Sequence, residues 1–297
     1  MPELPEVEVL VRYLRPFLRH QVIHRVHVQR QRVLRPNSVR LFSKRLKGAR
    51  FNDLSRRGKF LLFTLSAGEL SETITLVGHL GMTGRMYFLP KSSTLPKHTA
   101  VWMDLGDKLF VFEDTRYFGR LTLETAMIDG LGPEPLSDDW TPDSFADALR
   151  ISRQPIKVKL LDQRIVAGVG NIYASEALFR SGISPKISGQ RLDKEQIFRL
   201  WQSVREVLSE AIERGSSQEL NYASGSNRLD DFFYFGRSAG QLDSSEHFSV
   251  YGRFGQPCFN CDHPIRRMVQ VARSTFYCSR CQASKPGPKI RKLSNTQ

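Results

Sequence analysis

The chain has 297 residues, of which 40% are hydrophobic and 25% charged, with a net charge of +14. That length suits two domains that each bury a core. No apolar run approaches the ~20 residues of a membrane span; the N-terminus carries acids at Glu3, Glu6 and Glu8 and does not read as a signal peptide, so the expectation is a soluble, intracellular protein.

The charge is unevenly placed. Residues 1–60 hold 15 Lys/Arg against 4 Asp/Glu, and residues 246–297 hold 9 against 2, which leaves the middle slightly acidic. Two basic ends on a near-neutral body suit a polyanion gripped from two sides. There is no Ser-His-Asp signature and no Walker-type phosphate loop, which argues against phosphoryl-transfer ATPase chemistry.

In chain order, Met1-Pro2-Glu3-Leu4-Pro5-Glu6 comes first. If Met1 is removed, Pro2 becomes a secondary amine with a reference pKa of about 8, partly neutral near pH 7 and nucleophilic toward an electron-poor carbon. Glu3 and Glu6 stand beside it as proton donors or acceptors. Residues 3–19 predict a helix, with Val7, Leu10, Val11 and Leu14 at helical spacing and Pro16 discouraging continuation. From 21 to 125, short runs at 22–28, 60–65, 73–78, 85–89, 100–105, 109–113 and 120–124 predict a β-sandwich. Arg56-Arg57-Gly58-Lys59 leads into one strand as a charged turn.

Residues 126–141, with Gly130, Gly132, Pro133, Pro135 and Ser137, read as an interdomain connection. Helices follow at 142–151, 155–162, 171–181 and 194–214, the first opened by Thr141-Pro142 and the last by an Asp193/Gln196 capping box. Trp201 falls on the buried stripe of the last helix. Ala167-Gly168-Val169-Gly170-Asn171 is a glycine turn opening a helix; it serves as a phosphate cradle or as a simple tight turn, with Asn171 as cap, DNA contact or both. Residues 216–249 are rich in Ser, Gly, Asn and Asp around Phe232-Phe233-Tyr234-Phe235, a long loop whose aromatics are a buried anchor or a ligand-facing surface. All four cysteines lie in Cys258-x2-Cys261-x16-Cys278-x2-Cys281. This is the spacing of a tetrahedral zinc site; the alternative, two disulfides, suits a reducing compartment poorly.

The chain resembles the formamidopyrimidine-DNA glycosylase / endonuclease VIII family, and within it the formamidopyrimidine branch. The resemblance rests on Pro2-Glu-Leu-Pro-Glu-Val-Glu8, Arg57-Gly-Lys-Phe60, His79-Leu-Gly-Met-Thr-Gly84 and Asp114-Thr-Arg-Tyr-Phe-Gly119. It continues in the family's order through Leu131-Gly-Pro-Glu-Pro-Leu136, Gly168-Val-Gly-Asn-Ile-Tyr-Ala-Ser-Glu176 and Arg273-Ser-Thr-Phe-Tyr-Cys278. It implies an α+β fold: an N-terminal β-sandwich with flanking helices (1–130), a helix–two-turn–helix domain with a long lesion-capping loop (131–249), a four-cysteine zinc finger (250–285) and a basic tail (286–297). DNA would lie in the cleft between the domains.

The implied activity is excision of oxidised purines, 8-oxoguanine and formamidopyrimidines, from damaged double-stranded DNA, followed by β,δ-elimination at the abasic site. The resemblance makes Pro2 the Schiff-base nucleophile, Glu3 the donor that opens the sugar ring, Lys59 a phosphate grip and donor in β-elimination, and Arg273 the phosphate grip that assists δ-elimination. Glu6 takes a supporting role. His79, His98, Arg116, Lys157 and Asn171 fall among DNA contacts, and Met82, Arg116 and Phe118 match the triad that fills the void left by the base. One zinc ion on Cys258, Cys261, Cys278 and Cys281 would be structural, with no organic cofactor, no membrane and a monomeric protein. Tyr117, where the branch usually has a second arginine, and the 216–249 loop depart from the pattern. The alternatives are a family enzyme retuned to oxidised pyrimidines or hydantoins, and a non-catalytic zinc-dependent DNA-binding protein.

Overall fold

The computed structural model describes residues 2–67, 72–216 and 248–283. It divides into two units. The first comprises the chain to Glu134, Val166–Gly168 and the chain from Leu208; the second comprises Pro135–Ile165, Val169–Val207 and the chain from His247.

The first unit opens with α1 (Leu4–Leu18), which buries Val7, Leu10, Val11 and Leu14. Glu3 caps it reciprocally: its side chain takes the Glu6 N–H, while its own N–H donates to Glu6 Oε2 over 2.7 Å. Pro16 does not end the helix. It lies on the exposed face, and α1 runs on to Leu18.

Two antiparallel four-stranded sheets form the predicted sandwich. One has the order β1 (Arg25–Val28), β6 (Thr99–Asp104), β7 (Lys108–Asp114), β5 (Gly84–Pro90). The other has the order β2 (Arg50–Arg57), β3 (Phe60–Ala67), β4 (Glu72–His79), β8 (Arg120–Thr122). Phe51 and Phe63 from one sheet meet Phe110 from the other at ring-centroid distances of 6.4 and 5.8 Å. These edge-on rings sit in a core that also takes Leu54, Leu61, Leu76, Met86 and Met103.

Two elements here escaped the sequence reading. Strand β2 has few apolar residues, and a register shift between Phe51 and Asp53 turns both Phe51 and Leu54 inward although they are three apart. Helix α2 (Val39–Leu46) buries only Phe42 and Leu46, and Ser38 caps it by accepting the Leu41 N–H. A short α3 (Ala126–Asp129) occupies the stretch read as connection.

The second unit holds α4 (Pro142–Arg150), α5 (Ile156–Leu161), α6 (Asn171–Arg180) and the part of α7 (Lys194–Ser216) up to Val207, all close to the predicted bounds. Both predicted caps form: Thr141 with Ser144, and Asp193 with Gln196. Trp201 is half-buried and donates its indole N–H to the Trp140 carbonyl over 2.8 Å, so it anchors the helix. The hairpin β9 (Arg266–Gln270) and β10 (Arg273–Tyr277) completes the unit. Among the described residues no helix is long and apolar enough to cross a membrane.

Candidate functional site

Pro2 and Glu3 are buried at the mouth of α1, and Lys59 is buried on the two-residue turn between β2 and β3. One short segment touches both places. The Gly168 carbonyl accepts the Leu4 N–H at 3.1 Å. A Cβ on Gly58 would stand 3.3 Å from the Gly168 nitrogen and from Ala167 Cβ. Gly168 itself has φ +85°, and a Cβ there would lie 2.6 Å from the Leu4 side chain, so only glycine fits. Its glycine thus serves a tight backbone approach in this unit.

The Lys59 turn is further fixed by Glu134, a residue the sequence reading left in the connection. Its carboxylate accepts from Arg56 at 2.6 Å, Arg57 at 3.0 Å and the Gly58 N–H at 2.6 Å. Arg56 also donates to Glu8 at 2.8 Å. Burial pushes the Glu8 carboxyl up, but its bonds to Arg56 and Arg12 outweigh this and hold it below the ordinary range. This charge-assisted network gives the hairpin a defined geometry.

His79 ends β4 with its Nδ1 accepting the Gly81 N–H at 3.1 Å. Burial, then the charges of Lys59 and Arg120, lower its pKa to about 4, so the ring is neutral and carries its proton on Nε2. Next to it, Met82, Arg116 and Phe118 come together and are exposed. The Arg116 guanidinium lies 3.2 Å from Met82 Sδ and 4.7 Å from the Phe118 ring centroid. His98 is half-buried, 3.5 Å from the Tyr117 hydroxyl, and Arg30 stands 5.3 Å from the Tyr117 ring centroid.

In the second unit Asn171 does not cap α6; Gly170 holds the cap position. The Asn171 side chain instead bonds Lys157 Nζ at 2.6 Å and the Ser274 carbonyl at 2.9 Å. Lys157, expected among the DNA contacts, reaches these same groups from the interior of the unit. It is fully buried, and its ammonium also donates to the Ser274 carbonyl at 3.1 Å and Thr275 Oγ1 at 2.9 Å, which uses its three protons. Spacing alone could not show this, since Lys157 reads as one of two lysines on a short basic helix. Arg273 is exposed at the start of β10, directly after a turn in which Val271 and Ala272 both have positive φ. Glu176, unremarked in the sequence, takes the N–H groups of Ser249, Val250 and Tyr251 at 2.8, 3.0 and 2.9 Å and so fixes the entry to the cysteine module.

The sulfur atoms of Cys258, Cys261, Cys278 and Cys281 all lie within 4.8 Å of one another. Neighbouring pairs are 3.4–3.8 Å apart. A tetrahedron with metal–sulfur bonds of about 2.3 Å has edges of about 3.8 Å, whereas a disulfide needs about 2.05 Å. The four thiols are free and fit a closed structural metal site. Backbone N–H groups of Asn260 and Cys281 donate to Cys258 and Cys278 Sγ, each at 3.4 Å, and so orient those sulfur atoms.

The described chain thus joins a β-sandwich unit that opens on buried Pro2 and Glu3, a helical unit, and a cluster of four cysteines that fits a structural metal. Three family models match in that order: the formamidopyrimidine-DNA glycosylase N-terminal domain over residues 1–121, its H2TH domain over 131–221, and a zinc finger found in FPG and IleRS over 255–283. A formamidopyrimidine-DNA glycosylase from Carboxydothermus hydrogenoformans is 38% identical over 282 residues, 95% of this chain and 100% of the relative. One from Moorella thermoacetica is 42% identical, covering 90% of this chain and 94% of the relative. A Lactococcus lactis relative, solved in complex with DNA containing an abasic site, superposes with a TM-score of 0.80 at 29% identity over 95% of this chain and 100% of that one. The same relative is also solved with DNA containing FAPY-dG, at 30% identity and TM-score 0.80. The chain belongs to the formamidopyrimidine-DNA glycosylase family.

Proposed function

We propose that the protein is a bifunctional glycosylase and abasic-site lyase that removes oxidised purines from duplex DNA as a monomer. The observation that carries this reading is the joint attachment of the Pro2–Glu3 terminus and the Lys59 turn to Gly168. It holds a nucleophile, an acid and a cation on one rigid framework, which is what a covalent displacement at a sugar carbon requires.

With Met1 removed, the Pro2 nitrogen attacks C1′ of a nucleotide turned out of the stack, and the damaged base leaves with the C1′–N bond's electrons. Glu3 gives its proton to the ring oxygen, and the sugar opens to an iminium on Pro2. The iminium draws electrons from the C2′–H bond; loss of that proton expels the 3′ phosphate, and a second elimination expels the 5′ phosphate. Lys59 holds the lesion phosphate and supplies a proton in the first elimination. Arg273 holds a phosphate and assists the second, while Asn171, His79 and His98 contact the backbone. Met82, Arg116 and Phe118 enter the vacated space, the sulfur and ring as wedges and the guanidinium as donor to the widowed base.

Zinc on the four cysteines supplies no chemistry, since four thiolates close its shell; it stiffens the hairpin that presents Arg273. The DNA complexes of the Lactococcus lactis relative support DNA as partner and formamidopyrimidine as substrate class. The test is base release from duplexes with one 8-oxoguanine, one formamidopyrimidine or one thymine glycol. Release of the two purine lesions well above thymine glycol is the expected result. Preferential release of thymine glycol would move the substrate to pyrimidines, and binding without release of any base would make the protein a non-catalytic binder.

A further inference from the structure

We propose that Asp114 is a positioning residue that locks the two loops bearing Met82, Arg116 and Phe118 into one rigid wedge, and that it thereby sets recognition of the base opposite the lesion. The inference deepens the functional reading above and rests on it.

Met82 lies on the loop between β4 and β5; Arg116 and Phe118 lie on the loop between β7 and β8. The Asp114 carboxylate is completely buried between them. Its Oδ1 accepts the Thr83 hydroxyl, next in sequence to Met82, and the Arg116 N–H at 3.1 Å. Its Oδ2 accepts the Gly119 N–H, next to Phe118, at 2.7 Å. The Arg116 N–H also lies 3.2 Å from Thr83 Oγ1. One carboxylate therefore holds the residue beside, or the backbone of, every member of the triad. All its partners are donors, and only an ionised carboxylate offers acceptors alone; an asparagine would turn an NH2 toward an N–H.

The loops are also pressed together backbone to backbone. A Cβ on Gly81, at φ +61°, would stand 2.6 Å from the Gly119 nitrogen and 2.8 Å from the Phe118 carbonyl carbon. A Cβ on Gly119 would stand 2.7 Å from the Phe112 ring and 2.8 Å from the His79 carbonyl oxygen. Such packing leaves little room for one loop to move without the other. A wedge entering a base stack must keep its shape while it displaces stacked bases, and a guanidinium that reads a base edge must keep its angle.

The test compares full-length wild type with Asp114→Asn and Thr83→Val, which keep size and remove acceptors or the hydroxyl. Single-turnover excision is measured on 8-oxoguanine opposite cytosine and opposite adenine, and strand cleavage on the same duplex with a ready-made abasic site. An abasic site has no base to unstack, so its cleavage leans less on the wedge. Both variants are expected to lose about tenfold or more in excision. Their cytosine-to-adenine ratio should fall toward one while abasic cleavage stays within about threefold of wild type. If Asp114→Asn does not fold by its melting curve, Thr83→Val decides. Unaltered excision and unaltered ratio in the variants, with an active wild type, overturn this inference alone, as does an equal loss on both substrates. A wild type that excises nothing overturns the functional reading and this inference with it.

Discussion

Lys157 donates a 2.6 Å hydrogen bond to Asn171 from a fully buried position, and both bond the Ser274 carbonyl directly after Arg273. The helix start and the hairpin that carries Arg273 are thus joined by one ammonium. Replacing Lys157 with Met takes a donor from three acceptors, of which only the Ser274 carbonyl keeps a second donor in Asn171, and is expected to cost about 2–3 kcal/mol of stability. It should weaken DNA binding without changing the salt slope, because the ammonium has no free proton for a phosphate. Arg273→Ala, by contrast, should lower the slope of log K against log[salt] by about 0.9. A loss of that size in the Lys157 variant would show that Lys157 reaches DNA after all.

Gly168 serves the active-site framework through space. Gly168→Ala adds a Cβ against Leu4 and forces a non-glycine residue to φ +85°. Overpacking and left-handed strain together should cost about 2–4 kcal/mol. The chemical step should suffer more than binding, because the displaced part is the α1 mouth with Pro2 and Glu3. Kinetics should therefore show a fall in kcat with little change in KM. A change confined to KM would place Gly168 in DNA binding instead, as a phosphate cradle.

The neutral His79 gives a pH dependence of known sign. Its folded pKa, about 4, lies below the unfolded 6.5, so the unfolded chain binds a proton that the folded chain refuses between those values. The stability it contributes is fully present above 6.5 and is lost as pH falls toward 4, on the order of 3 kcal/mol in all. His79→Gln should flatten the fall in melting temperature between about pH 6.5 and 4, the window in which the unfolded chain holds the proton that the folded chain refuses. Parallel curves for the two proteins would rule out this assignment.

The thiolate site couples metal to fold. Metal analysis should find one zinc per chain, and a strong chelator should abolish duplex binding as the hairpin loses a contribution of about 10 kcal/mol or more. Full binding by metal-free protein would contradict the role assigned to the module.

Much of the framework was legible in the sequence because its signals are local. Thr141 before Pro142, and Asp193 with Gln196, announce helix starts within four residues, and the cysteine pairs announce their metal by spacing. What stayed hidden depends on long-range partners or on a break in periodicity. Glu134 meets Arg56 across 78 positions, and Glu176 meets the backbone of Ser249 across 73. The bulge in β2 spoils the alternation that marks a strand. The aromatic cluster Phe232–Phe235 and the tail 286–297 lie outside the described residues.

The most direct test of the central claim is borohydride trapping on a duplex with 8-oxoguanine opposite cytosine, with undamaged and thymine-glycol duplexes alongside. The account predicts a covalent protein–DNA adduct through Pro2, strongest on the oxidised purine and lost when the N-terminal amine is blocked or Pro2 is replaced by Gly. An adduct of equal yield in the blocked protein would assign the nucleophile elsewhere, and tight binding with no adduct on any duplex would contradict the proposed chemistry outright.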